Sequence, residues 1–352
     1  MERVDVAVIG GGQSGLATVH SLRRQGLEPV VLEAADEAAG SWRHYYDSLT
    51  LFSPAGYSSL PGMPFDGDSD RYPHRDEVVA YLLRYADRLG ADIRTGMRVR
   101  EVRAGDDGAF TLVLEGSGEL SARGVVATSG TFGRPWRPAL PGLDDFAGTV
   151  LHAAGYRAPE PFAGQRVAVV GAGNSAVQIA AELAAHARVT LGMRHPVRFA
   201  RQRTLGRDLH WWLKRTGVDT LPLGRFLRTP PTQLVIDDGR YRTAVASGAP
   251  DRRPVFTEID GAKVTWADGS SEEVDTILLA TGYRPDLGYL APLGALDEHG
   301  QPIHQEGVSL THPGLAYVGL EWQRSLSSNS LRGVGRDANR IARRLAAYVH
   351  RG

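Results

Sequence analysis

The stretch that decides the fold is VDVAVIGGGQSGLATVHSLRRQGLEPVVLEA, residues 4–34. Val4 to Ile9 is a β-branched apolar run bounded by glycine, the pattern of a strand covered on both faces in a parallel sheet. Gly10, Gly12 and Gly15 follow as G-x-G-x-x-G, and Leu16, Val19 and Leu22 then recur at helical spacing. Pro29 to Leu32 reads as a second buried strand, closed by Glu33. The three glycines differ in what they make possible. Gly10 permits a tight turn, Gly12 lets a pyrophosphate approach the backbone, and Gly15 lets the helix pack close to the strand. The helix start at Gln13 and Ser14 supplies N–H donors and partial positive charge. Strand, turn, helix and terminal acid in this order predict a dinucleotide-binding unit.

The plan recurs in RVAVVGAGNSAVQIAAELAAHARVTLGMR, residues 166–194, where Gly171, Gly173, Asn174, Ser175 and Ala176 form the turn and helix start. Short alternating strands with Asp-Gly turns at 107–108, 260–261 and 268–269 follow each copy. Each copy then closes on an apolar strand, VVATSG with Thr128 and ILLATG with Ala280, Thr281 and Gly282. The repeat is therefore a whole domain, and the fold class is α/β with two Rossmann-like domains.

One position distinguishes the copies. Glu33 and Arg194 stand at the same spacing after Gly10 and Gly171. A carboxylate there accepts bonds from ribose hydroxyls and repels a 2′-phosphate, whereas an arginine attracts one. This reading assigns FAD to the first domain and NADPH to the second, with His195 and Arg198 as further donors. The alternative for Arg194 is a solvated arginine in a chain whose only lysines are Lys214 and Lys263.

Composition bounds the rest. A chain of 352 residues holds about two domains. Acids and bases balance at 40 each, so no global field favours nucleic acid or an anionic membrane. With 0 cysteines, disulfides, thiolate metal sites and a redox-active thiol pair are excluded, and no metal site is expected. No stretch reaches the roughly 18 apolar residues of a spanning helix. The opening strand leaves no room for a secretory signal, so a cytoplasmic location is expected.

Between the two copies lies FAGTVLHAAGYR, residues 146–157. Its Phe146, Gly148, His152 and Tyr156 satisfy F-x-G-x-x-x-H-x-x-x-[YF], and with the two glycine turns the chain resembles the class B flavin-dependent monooxygenases. The resemblance is narrowest to the small bacterial flavin-containing monooxygenases and runs nearly end to end, weakest over 205–250. It implies a glutathione-reductase-like flavoprotein with the NADPH domain, 161–284, inserted in an FAD domain of 1–160 and 285–352. It implies that the fingerprint lies at the domain junction, with His152 important for activity without being the proton-transfer catalyst. Gly40, Ser41 and Trp42 resemble the family's G-G-x-W near the flavin, and Val99, Thr128 and Leu331 are implied FAD contacts. Tyr283 joins Ala280, Thr281 and Gly282 in ATGYRPD, which resembles the second closing motif. Phe52, Ser53 and Tyr57 fall in the segment that lines the substrate side. Phe52 takes the place of an asparagine found beside the flavin in many eukaryotic members.

The resemblance implies a reaction in which NADPH reduces FAD, O2 gives a flavin C4a-(hydro)peroxide, and a small organic substrate is oxygenated. Tyr156 stands where the Baeyer–Villiger subgroup usually has tryptophan, which favours oxygenation at sulfur or nitrogen over attack on ketones. NADPH oxidase activity and quinone reduction stay open; the latter would need membrane docking, for which 339–352 is the candidate helix. Family members often pair, so a homodimer is among the expectations. Residues 205–233, with Trp211-Trp212 and Pro230-Pro231, carry no interpretable motif.

Overall fold

The computed structural model describes residues 1–105, 107–116, 118–227 and 234–351; Pro230 and Pro231 lie outside them. In the first sheet, β1 (Glu2–Ile9) is central. It runs parallel to β2 (Val30–Leu32), with Ala7 opposite Val30, and to β6 (Glu119–Ala127), with Ala7 opposite Val125. β3 (Asp92–Arg94) extends the sheet beyond β2, while β4 (Val99–Ala104) and β5 (Phe110–Leu114) form an antiparallel meander into β6. Leu315–Tyr317 returns parallel to β6, so both ends of the chain build one sheet.

α1 (Gln13–Arg23) begins where β1 ends, as the glycine spacing predicts. α2 (Arg75–Leu89) opens on a capping box between His74 and Glu77 and buries Val78, Tyr81, Leu82 and Tyr85, the positions at helical spacing. The second sheet is wholly parallel, in the order Asp251–Pro254, Arg188–Met193, Arg166–Val170, Thr276–Leu279, Thr149–His152. The strand Thr149–His152 of the fingerprint is thus an edge of this sheet, ahead of residue 161. α3 (Asn174–Leu183) follows the second glycine turn and buries Ala176, Val177, Ile179 and Ala180. The second sheet and its excursion interrupt the first sheet, giving a two-domain α/β flavoprotein architecture.

The excursion at 199–247 contains α4 (Leu209–Thr216) and α5 (Arg240–Ser247), with a parallel pair of short strands, Phe199–Arg201 and Val235–Asp237. Finally α6 (Leu331–Val349) lays Val334, Ala338, Ile341, Leu345 and Val349 into the core shared with Leu16 and Val19 of α1. That apolar face is therefore covered, which removes the candidate membrane-docking helix. No helix among the described residues is long and apolar enough to cross a membrane.

Candidate active site

The first cradle is built by the ends of β1, β2 and β6. Thr128, buried at the end of β6, donates its hydroxyl to the carbonyls of Ile9 (2.8 Å) and Gly10 (2.9 Å) and so fixes the turn. A Cβ on Gly15 would stand 1.9 Å from the Gly10 carbonyl oxygen, so only glycine lets α1 seat against the turn. Gly12 faces open space apart from the Gly40 Cα, 3.4 Å from where its Cβ would be. Glu33 is 7% exposed and its carboxylate accepts from Gly11 N at 2.5 Å and Ala35 N at 2.8 Å. A buried carboxylate to accept from ribose hydroxyls, beside a backbone turn and a bare helix start to donate N–H groups to a pyrophosphate, is the set that an adenine dinucleotide requires, and these residues fit FAD.

Three distant segments close over that cradle. Trp42 donates its indole N–H to Gln13 Oε1 (3.1 Å), and Gln13 Nε2 donates to the Asn329 carbonyl (2.7 Å). Ser14 is buried beneath Gly319, where a Cβ would sit 2.0 Å from the Ser14 hydroxyl. Ser41 bonds the Tyr45 hydroxyl at 3.1 Å. Leu331 starts α6 and is buried in the same core as Trp42. Val99 is buried in a second core, with Ile9, Leu32 and Leu112.

The second cradle has the same frame with a different lining. Gly171 and Ala176 meet closely, a Gly171 Cβ falling 3.0 Å from that of Ala176 and 2.4 Å from the Ala280 carbonyl. The Asn174 amide bridges to the excursion, accepting from Ile236 N (3.2 Å) and donating to Leu234 O (3.3 Å). Gly173 caps α3, and Ser175 stands half-buried in its first turn. Arg194 and His195 are exposed at the strand end, with no side-chain partner among the described residues, so both are free to meet a phosphate. Arg198 is exposed close by.

The fingerprint does not converge on one spot. Phe146 is buried against Trp266 and Phe256, with Gly148 packed beneath its ring and the Asp275 carbonyl. Tyr156 is 0% exposed; its hydroxyl donates to Glu182 (2.8 Å), and its ring lies 6.0 Å from that of Tyr46. Burial, with Glu182 beside it, pushes the phenol well above its ordinary range. His152 bonds the chain's return crossing between the domains. It accepts from Ala154 N at Nδ1 (3.0 Å), so the proton sits on Nε2, which donates to the Gly282 carbonyl (3.1 Å). Burial lowers its pKa, keeping the ring neutral.

Gly282 and Tyr283 lie on the return crossing between domains, which is paired with the outgoing one. Thr281 donates its hydroxyl to the Trp136 carbonyl, Trp136 N donates to Gly282 O (2.9 Å), and Tyr283–Arg284 pairs with Arg134–Pro135. From His152 a run of edge-to-face rings leads back to the first cradle: His152–Tyr283 (5.0 Å), Tyr283–Phe132 (5.4 Å), Phe132–Tyr45 (6.1 Å) and Tyr45–Trp42 (5.5 Å). The signal for Phe132 and Tyr45 was absent from the sequence, because ring contacts of this kind are set by tertiary placement and not by period.

Phe52, 44% exposed, lies with Thr50, Tyr72, Gln178 and Gln202 on a cleft of about 500 Å³ between the domains. Tyr57 is half-buried, and Ser53 is engaged with the Ser58 hydroxyl at 2.8 Å. Behind this wall stand Asp208 and His210, both from the stretch without a motif. Asp208 N-caps α4, and its carboxylate meets His210 Nδ1 at 2.8 Å. An Asp placed before a helical run was the available signal.

The pyridine nucleotide-disulphide oxidoreductase family model matches residues 7–216. An oxidoreductase of Geobacillus kaustophilus named CzcO-like is 33% identical over 341 residues, covering 95% of this chain and 96% of its own. An indole-3-pyruvate monooxygenase of Oryza sativa subsp. japonica is 33% identical over 334 residues, covering 86% and 81%. The structure of a flavin-containing monooxygenase from Stenotrophomonas maltophilia superposes with a TM-score of 0.86 at 34% identity, covering 99% of both chains. The family's name includes disulphide chemistry, but this chain has 0 cysteines to exchange with. With two cradles of opposite charge, a neutral histidine at their junction and these relatives, the chain belongs to the pyridine nucleotide-disulphide oxidoreductase family and, within it, to the class B flavin-dependent monooxygenases, which use FAD and NADPH.

Proposed function

We propose that this enzyme oxygenates a small organic substrate at sulfur or nitrogen, using NADPH and O2, with the substrate approaching from the Phe52 side of the cleft. Bound FAD supplies the redox chemistry. The protein's part is to seat the two nucleotides, to fix their relative position through His152 and Gly282, and to keep water out. The observation that carries the heteroatom preference is Tyr156: it stands at the fingerprint place where the Baeyer–Villiger subgroup usually has tryptophan, and Glu182 and Tyr46 hold it in the core.

The test is turnover of NADPH and O2 with a panel of sulfides, amines and ketones, products being identified by mass. Sulfoxides or N-oxides are expected. Esters or lactones from the ketones alone would replace heteroatom oxygenation with Baeyer–Villiger chemistry, and NADPH consumption yielding only hydrogen peroxide across the panel would defeat both.

A further inference from the structure

At the Phe52 wall, the excursion from the second domain meets the first through the Asp208 carboxylate. Asp208 Oδ2 accepts from the Tyr72 hydroxyl (2.6 Å) and from Gln202 Nε2 (2.6 Å), and Oδ1 accepts from His210 N (2.7 Å) and faces His210 Nδ1 (2.8 Å). Gln202 Nε2 also reaches the Phe52 carbonyl at 3.0 Å. Burial would raise the Asp208 pKa, but the bonds from His210, Tyr72 and Gln202 overcome it and hold the group at about 2. An ionised carboxylate only accepts, so Nδ1 of His210 carries a proton.

His210 is 1% exposed. Its ring stacks on Phe52 at 6.1 Å and 23°, and meets Tyr57 at 6.3 Å and 32°. On Tyr57 the Lys214 ammonium lies 5.6 Å from the ring centroid. Phe52 is thus held twice from the other domain, at its backbone by Gln202 and at its ring by His210. Simple packing would be met by an apolar residue at 210. A buried imidazole costs desolvation that its bond to Asp208 offsets, and that bond, unlike apolar packing, fixes the orientation of the ring.

We propose that Asp208 and His210 are positioning residues which set the orientation of Phe52 and Tyr57, and through them the fit of the organic substrate in the cleft. This rests on the reading that the Phe52 side receives the substrate. Asp208 orders the imidazole and Gln202, and the imidazole orders the two rings. Because Tyr72, Phe52 and Tyr57 belong to the first domain while Asp208 and Gln202 belong to the second, the substrate wall forms only when the domains are docked as they are here.

The test uses FAD-loaded protein labelled with 4-fluorophenylalanine, the Phe52 resonance being assigned with Phe52→Leu. Asp208→Asn and His210→Leu are expected to shift or broaden that 19F resonance while the signal of remote Phe110 stays in place. In the same variants KM for the oxygenated substrate should rise about tenfold or more, the scale of one lost charge-assisted hydrogen bond, with FAD content and anaerobic flavin reduction by NADPH within about twofold of wild type. His210→Gln, which keeps a hydrogen-bonding side chain, should lie between. An unmoved Phe52 resonance in both variants overturns the proposal whatever the enzyme oxygenates. A moved resonance with unchanged KM overturns the link to substrate fit. A wild-type enzyme that oxygenates nothing defeats the proposed function, and the resonance then decides whether the pair positions Phe52.

Discussion

The Nε2–H of His152 donates to the carbonyl of Gly282 at 3.1 Å, while its Nδ1 accepts from Ala154 N, so the imidazole spans the edge strand and the chain's return crossing as a neutral ring. A second proton on Nδ1 would face the Ala154 N–H and break that bond. Burial has lowered the folded pKa below its ordinary 6.5, so the unfolded chain binds more protons between the two values. Stability is therefore complete above about pH 6.5 and falls as the pH drops toward the folded pKa. His20 and His304 are also lowered by burial and contribute to the same window. The expected result is that His152→Gln, measured by urea unfolding against pH, loses part of that acid-side slope; a slope identical to wild type would remove the neutral-pin assignment.

Arg194 is exposed and without a side-chain partner among the described residues, so its removal should leave the protein's own stability nearly untouched. Its expected effect is on one ligand. Arg194→Ala should cost about 1.5–3 kcal/mol of NADPH affinity, the range for hydrogen bonds to a charged group, and hardly change NADH use. Equal losses for both nucleotides in steady-state reduction would contradict a 2′-phosphate contact.

Much of the architecture was legible because it rests on local spacing. Gly10, Gly12 and Gly15, the helical positions in 72–86 and the strand ends at Thr128 and Ala280 all fall where the sequence placed them. What could not be read is contact between segments far apart in the chain. Tyr156 and His152 sit four residues apart in one motif, yet one is sealed beneath α3 and the other is at the junction. The Asp208–His210 pair was invisible for a related reason. A carboxylate and an imidazole two residues apart carry no signal until Tyr72, 136 residues away, brings its hydroxyl to the same oxygen that Gln202 meets.

The two later glycines of the first turn should separate folding from binding. Gly15→Ala would drive a Cβ to 1.9 Å from the Gly10 carbonyl, against backbone that cannot give way cheaply. Gly12→Ala meets only the Gly40 Cα at 3.4 Å, ordinary contact within the protein. Gly12→Ala should therefore fold with a wild-type circular dichroism spectrum but bind FAD poorly, through crowding of the pyrophosphate. Gly15→Ala should lower both the melting temperature and the flavin content. Full yellow colour in Gly12→Ala would remove the pyrophosphate from that position.

A single carboxylate fastens the strap at 217–227 to the start of α6. Asp219 accepts from Arg332 Nε at 2.9 Å, with side-chain exposures of 5% and 17%, and its backbone carbonyl takes both the N–H and the hydroxyl of Ser327. Its Oδ1 has no partner among the described residues, so the carboxylate is held by one charged bond and its burial is only partly offset. Asp219→Ala removes that bond but leaves the Ser327 contacts, and Arg332 can turn toward water. The cost should then lie near 1–3 kcal/mol, below the penalty for a sealed charge. Local opening should show it first: trypsin is expected to cut at exposed Arg225 several-fold faster in the variant, with the FAD spectrum unchanged at early times. Cleavage at the wild-type rate would mean that the Gly224–Arg324 backbone bond, 2.8 Å long, fastens the strap without Asp219.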